Sequence, residues 1–227
     1  MTAPADFARD GALHIPAVLS PDDLDVLRDL ADQAVGARPG ARLRDAQVLA
    51  DILAKTGSVG ALAAHLTSPA TRPTRAVMFD KTPDANWAVA WHQDRTLPVA
   101  SRVEVEGFGP WSTKDGVLHV APPFEILARM ITLRVHLDAV DAANAPLRAA
   151  LGSHRLGRVA AEDAAARAAE HPMIDCLAQA GDVWVYATPI LHASRRAEPP
   201  SRRRVLQIDY ADFDLPGGLE WLGLDAA

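Results

Sequence analysis

Residues Ile131 to Asp138 read ITLRVHLD, and apolar and polar side chains alternate there without a break. A period of two marks a β-strand whose two faces meet different surroundings. Ile131, Leu133, Val135 and Leu137 share one face, and Thr132, Arg134, His136 and Asp138 share the other. Four more strands are expected around it: TRAVMFDK at 74–81, WAVAW at 87–91, Val183 to Tyr186, and Arg203 to Tyr210. The chain before residue 70 has the helical period instead. Ser20 is placed to cap a helix beginning at Pro21, with Asp22 and Asp23 in its first turn and a Leu19/Leu24 staple. Leu24, Leu27, Leu30, Ala31 and Ala34 make its apolar face, and Gly36 stops it. Further helices are expected from about Arg44 to Lys55 and from Gly60 to Leu66, and shorter ones near 122–130 and 161–170.

Helices first and strands afterwards predict an α+β fold built around one antiparallel β structure. Repeats, low-complexity stretches and internal linkers are absent from the sequence. A single domain spanning 1–227 is therefore expected, helical over about 20–66 and mainly β over about 73–213. Residues 95–123 carry several Gly and Pro and no clear period, so they read as a long irregular excursion. With Arg95, Trp111, Lys114 and His119, this segment is the candidate lid over a site.

Charge and cysteine content exclude several classes. The formal net charge is −6, against the basic face of a general nucleic-acid binder. Arginines cluster only locally, at 195–196 and 202–204, where a solvated turn is the simplest expectation. The one cysteine, Cys176, rules out an intrachain disulfide and is expected to be a buried, inert thiol. The first residues lack a signal-peptide pattern, and no apolar run approaches a membrane span. A cytoplasmic location is expected, and oligomeric state is left open.

Two His-x-Asp pairs stand out, His92-Gln-Asp94 and His136-Leu-Asp138. With eight histidines and 29 acidic residues, about one such pair is expected by chance, so spacing alone decides nothing. A facial two-histidine, one-carboxylate site needs a further, distant histidine. His192 in TPILHASRR and His154 in GSHRLG are the candidates. Arg203, eleven residues beyond His192 at a strand start, offers a guanidinium to a distant carboxylate.

In this order along the chain, DGALHIPAVLSPDDLDVLR (10–28), FDKTPDANWAVAWHQD (79–94), NAPLRAALGSHRLG (144–157), AGDVWVYATPILHAS (180–194) and RRVLQIDY (203–210) resemble the phytanoyl-CoA dioxygenase family of Fe(II)/2-oxoglutarate oxygenases. Ala145 and Leu151 depart from the family's usual Gly and Pro. The resemblance implies a double-stranded β-helix, a distorted jelly roll with flanking helices. It implies His92, Asp94 and His192 as catalytic metal ligands and Arg203 as the 2-oxoglutarate anchor, helped by Ser194. Lys81, Thr132 and Arg134 are weaker candidates for contact with cosubstrate or substrate. His136 then becomes a structural residue of the barrel. The implied cofactors are Fe(II), 2-oxoglutarate and O2, and the implied partner is a small-molecule substrate, without nucleic acid or membrane. Hydroxylation of an unactivated C–H is favoured, since related halogenases carry a small residue where Asp94 stands. Desaturation or ring closure stays open, as do a non-enzymatic cupin-like metal-binding or sensor domain and a Zn-dependent hydrolase.

Overall fold

The computed structural model describes residues 5–36, 38–43, 47–199 and 201–224. Its elements in chain order are α1 (Ala5–Asp10), β1 (Ala12–Ile15), α2 (Pro21–Val35), β2 (Gly40–Leu43), α3 (Gln47–Leu53), α4 (Ser58–Leu66), β3 (Arg72–Lys81), β4 (Val89–His92), β5 (Leu97–Pro98), β6 (Trp111–Lys114), β7 (Val117–Val120), α5 (Phe124–Ala128), β8 (Ile131–His136), β9 (Leu147–Ala150), α6 (Ala164–Ala169), β10 (Met173–Asp175), β11 (Val183–Ala187), β12 (His192–Ser194) and β13 (Arg203–Ala211). The expected helix start at Arg44 lies outside the described residues, as does the end of the chain. No helix among the described residues is long and apolar enough to cross a membrane.

The α2 boundary follows from local chemistry. The Ser20 hydroxyl accepts the Asp23 N–H at 3.1 Å, Pro21 opens the helix, and Gly36 ends it at φ 57°. Leu27, Ala31 and Val35 then bury one stripe against a six-stranded sheet ordered β1-β11-β8-β13-β3-β2. The alternation of β8 explains the layering. Ile131, Leu133 and Val135 join Met78, Val185, Leu206 and Ile208 under α2, α3 and α4. Every residue of β8 is buried, so its polar face turns inward and not to water. That inner face meets a second sheet, ordered β10-β9-β12-β4, through Trp184 and Tyr186 packed on Leu147, Ala149 and Ile190. The result is a mixed α+β fold with a β-rich core, and no sheet among the described residues closes on itself.

The excursion at 95–123 is more ordered than its sequence suggests. It forms a small sheet, β5-β7-β6, with its own apolar cluster. Leu97, Val99, Phe108 and Val120 pack there with Met130, Phe213 and Leu219. The apolar partners come from residues 127–130 just beyond the segment and from 211–219, distant in sequence, which is why a local period could not show them. The segment is a packed wall with only its rim on the site. Strand β4 is also displaced from its expected 87–91, because its ladder is set by β12 and reaches His92 itself.

Ala145 holds a left-handed backbone at φ 47°, a conformation that a glycine would take freely. Gly60 in α4 has a different constraint, since a Cβ there would lie 2.1 Å from the Ala54 carbonyl oxygen and 2.2 Å from that of Leu53. Helix propensity alone favours Gly60→Ala by about 1 kcal/mol. The close approach reverses the sign, and chemical denaturation should show Gly60→Ala destabilised by about 1–3 kcal/mol.

Candidate metal centre and active-site cavity

Strands β4 and β12 are antiparallel neighbours, and His92 sits directly across from His192. Asp94, two residues beyond His92, reaches the same place, and one ligand atom from each of the three lies within 4.8 Å of the others. The His92 Nδ1 donates to the Ala90 carbonyl at 2.8 Å, and the His192 Nδ1 donates to the Ile190 carbonyl at 2.9 Å. A carbonyl oxygen only accepts, so both Nδ1 atoms carry the proton and both Nε2 lone pairs face the gap. Burial, then the neighbouring His92, pushes the His192 pKa down to about 4. His192 is thus neutral at pH 7, the form that binds a metal.

Asp94 is held from behind. Burial opposes its charge, but Arg75, His192 and His92 outweigh this, and its carboxyl lies below the usual range. Its Oδ2 is 3.4 Å from both the Arg75 Nη2 and the Gln207 Nε2. These are loose contacts that orient more than they bind. Arg75 is itself fixed by Asp209, with Nε 2.6 Å from the Oδ2. Thr132 donates to the other Asp209 oxygen at 3.0 Å and lies 3.0 Å from the Thr188 hydroxyl. A polar chain therefore runs from Asp94 through Arg75 and Asp209 to Thr132.

The trio opens on a cavity of about 820 Å³ between the two large sheets. Alternate residues of β3, from Arg75 through Val77 and Phe79 to Lys81, line it. Six residue-to-residue steps along β3 separate its Arg75 end from its Lys81 end, roughly 20 Å. At the Lys81 end lie Arg134, Arg203 and Ser194. Arg203 donates to the Ala145 carbonyl at 2.5 Å, Arg134 to the Gln207 side-chain oxygen at 2.8 Å, and Lys81 to the Arg195 carbonyl at 2.7 Å. Among the described residues none of these three cations has a carboxylate partner, and the Nε atoms of Arg134 and Arg203 are buried without any partner. Burial and neighbouring positive charge lower Arg203 to about 9 and Lys81 to about 8.

The other expectations divide. Thr132 is fully buried and does not reach the cavity wall; its hydroxyl is spent on Asp209 and Thr188. His136 is buried, with both ring nitrogens unpartnered and its pKa lowered to about 3 by burial and then Arg134, and it lies outside the trio. Asp138 pairs with Arg204 at 2.8 Å, and Asp141 accepts the turn N–H groups of Ala143 and Asn144. His154 packs against Gly11, away from the trio. The arginine cluster is not one solvated turn: Arg195 and Arg196 are exposed, Arg202 and Arg204 are ion-paired, and Arg203 is buried. Cys176 is buried, with burial raising its thiol to about 12. Arg75, Gln207 and Asp209 were missed from the sequence. The available signal was strand parity, since Gln207 and Asp209 share a face with Arg203, and Arg75 with Lys81.

The family model described as phytanoyl-CoA dioxygenase matches residues 7–205. No curated protein sequence matches the chain. Among solved structures, similarity extends to the non-heme alpha ketoglutarate dependent epimerase SnoN from nogalamycin biosynthesis, at 19% identity and TM-score 0.65, covering 98% of this chain and 90% of that one. AviO1 from Streptomyces viridochromogenes Tue57 is similar at 23% identity and TM-score 0.62, covering 93% and 94%. HygX from Streptomyces hygroscopicus, solved with nickel, 2-oxoglutarate and hygromycin B bound, is similar at 18% identity and TM-score 0.60, covering 90% and 84%.

The polar chain behind Asp94 has a measurable consequence. Arg75→Met removes the group that orients the carboxylate and leaves Asp209 without its cation. Equilibrium binding of Mn(II) should weaken about 10- to 100-fold while the circular dichroism spectrum is unchanged. Undiminished Mn(II) affinity would show that the chain does not serve the metal centre.

Proposed function

We propose, on the premise that this chain belongs to the phytanoyl-CoA dioxygenase family, that it hydroxylates a small metabolite at an unactivated carbon. The chain is an Fe(II)- and 2-oxoglutarate-dependent dioxygenase. Its two facing sheets and flanking helices correspond, in this reading, to one double-stranded β-helix domain. The observation that carries the site assignment is the pairing of two unlike features in one cavity. A His-Asp-His trio presents free Nε2 lone pairs, and a short way along the wall stand three cations without acid partners among the described residues.

In this reading His92, Asp94 and His192 would hold Fe(II) at the cavity wall. Iron and 2-oxoglutarate, when bound, couple O2 to the conversion of 2-oxoglutarate to succinate and CO2, with the second oxygen atom entering the substrate as C–OH. The chain does the placing. Arg203 pairs with the distal carboxylate of 2-oxoglutarate, with Lys81, Arg134 and Ser194 beside it. Thr132 contributes through Asp209 and Arg75, holding Asp94. The buried cations at the Lys81 end have no role in a zinc hydrolase or a metal-only sensor, which disfavours both. Support for a small-molecule substrate comes from the cavity volume of about 820 Å³ and from HygX, the similar protein solved with hygromycin B.

Anaerobic addition of Fe(II) and 2-oxoglutarate should produce a visible charge-transfer band, and its titration gives 2-oxoglutarate affinity. Arg203→Ala should weaken that affinity by roughly 100-fold while Fe(II) binding persists. Arg204→Ala should leave it unchanged, because Arg204 faces Asp138 on the opposite side of β13. An unchanged Arg203→Ala titration would refute the anchor. pH offers a second check. Arg203 stays cationic throughout, whereas Lys81 is cationic only below about 8, so 2-oxoglutarate binding is strong at neutral pH and declines as pH rises through that value. Lys81→Met should remove the decline.

A further inference from the structure

The cavity carries positive charge at both ends, and one cosubstrate accounts for only one of them. Opposite the Lys81 end, Arg42, Arg75, Arg95 and Lys114 line the wall around Asp94. Two of these four are matched: Arg42 with Asp115, and Arg75 with Asp209 and Asp94. Among the described residues Lys114 and Arg95 hydrogen-bond only neutral groups, the Thr96 hydroxyl at 2.8 Å and the Val159 carbonyl, respectively. Lys114 sits on the rim of the packed wall formed by β6 and β7, half-buried and close enough to Asp94 to favour its charge. A divalent iron and a doubly charged cosubstrate cancel each other, so the loaded cavity keeps an excess of positive charge at this outer end.

We propose that this outer end is the substrate's anion subsite, where Lys114, assisted by Arg95, binds a carboxylate or phosphate group of the molecule to be oxidised. The inference rests on the trio being the iron site. Two cations without a hydrogen-bonded acid partner among the described residues, held in a partly desolvated cavity, are strongly attracted to an anion and weakly to a neutral group. Burial and the nearby Arg75 already disfavour charge on Lys114, a cost that a bound anion would relieve. The position also sets regiochemistry. Arg95 directly follows Asp94, and Lys114 hydrogen-bonds Thr96, so the acid group is anchored beside the metal carboxylate. The oxidised carbon then lies within a few bonds of the acid, on the side of the trio away from Arg203. Neutral esters or amides of the substrate would lose this anchor.

The test uses the whole protein loaded with Mn(II) and saturating 2-oxoglutarate. Inorganic phosphate and acetate are titrated separately, and paramagnetic relaxation of the 31P or 13C nucleus reports approach to the metal. Saturable enhancement by at least one anion is expected, with the more effective one naming the substrate's acid class. Lys114→Met should weaken it roughly 10-fold, and Lys114→Arg should retain most of it. The Lys114 side chain is part-exposed on the rim, so neither change threatens folding. Normal metal and 2-oxoglutarate binding without saturable enhancement, or with enhancement unaffected in Lys114→Met, would overturn the subsite and leave the oxygenase reading standing. Failure to bind Mn(II) and 2-oxoglutarate at all would overturn both.

Discussion

The site depends on one register. His92 faces His192 across the β4–β12 ladder, and each ring is locked by a hydrogen bond from Nδ1 to the carbonyl two residues earlier. The backbone thus sets both the separation and the tautomer before any metal arrives. A slip of one residue would turn one imidazole to the opposite face of the sheet, and no side-chain adjustment could restore the trio. The neighbouring β9 helps to prevent that slip, because Ala149 also pairs with His192 and is buried against Trp184 and Tyr186 of the other sheet. Core packing between the sheets and chemical geometry at the centre are therefore the same constraint.

The cavity is costly for the fold. Lys81, Arg134 and Arg203 are nearly removed from water without opposite charge among the described residues, an arrangement that opposes folding by several kcal/mol unless a ligand compensates it. The outer face of the same sheet offsets this with the large apolar layer beneath α2, α3 and α4. A cosubstrate bearing two carboxylates would relieve the cost on binding, so protein and ligand are expected to stabilise each other. Destabilising features thus concentrate on the inner face, at the candidate site.

Legibility of the fold in the sequence followed the range of the interactions. α2 was readable because its cap, staple and stripe are local. The inward polar face of β8 was readable because its alternation runs through the whole strand. β1, β2, β9, β10 and β12 were not foreseen as strands, since each has only three or four residues and takes its conformation from its neighbours in the ladder. The 95–123 wall was misread for the same reason, as its apolar partners are supplied by α5 and residues 211–219. At the site, His92, Asp94, His192 and Arg203 were named as candidates through the family resemblance, because two His-x-Asp pairs were equally plausible on spacing. Arg75 and Asp209 became visible only when β3 and β13 were seen in register, with Arg75 opposite Asp209.

His92-Gln-Asp94, and not His136-Leu-Asp138, is proposed to supply the metal ligands beside His192. Fe(II) content and affinity of purified His92→Ala, Asp94→Ala and His136→Ala, with folding checked by circular dichroism, test it most directly. Loss of stoichiometric Fe(II) is expected in the first two variants and retention in His136→Ala. A folded His136→Ala that loses iron while His92→Ala keeps it would overturn the choice of ligands.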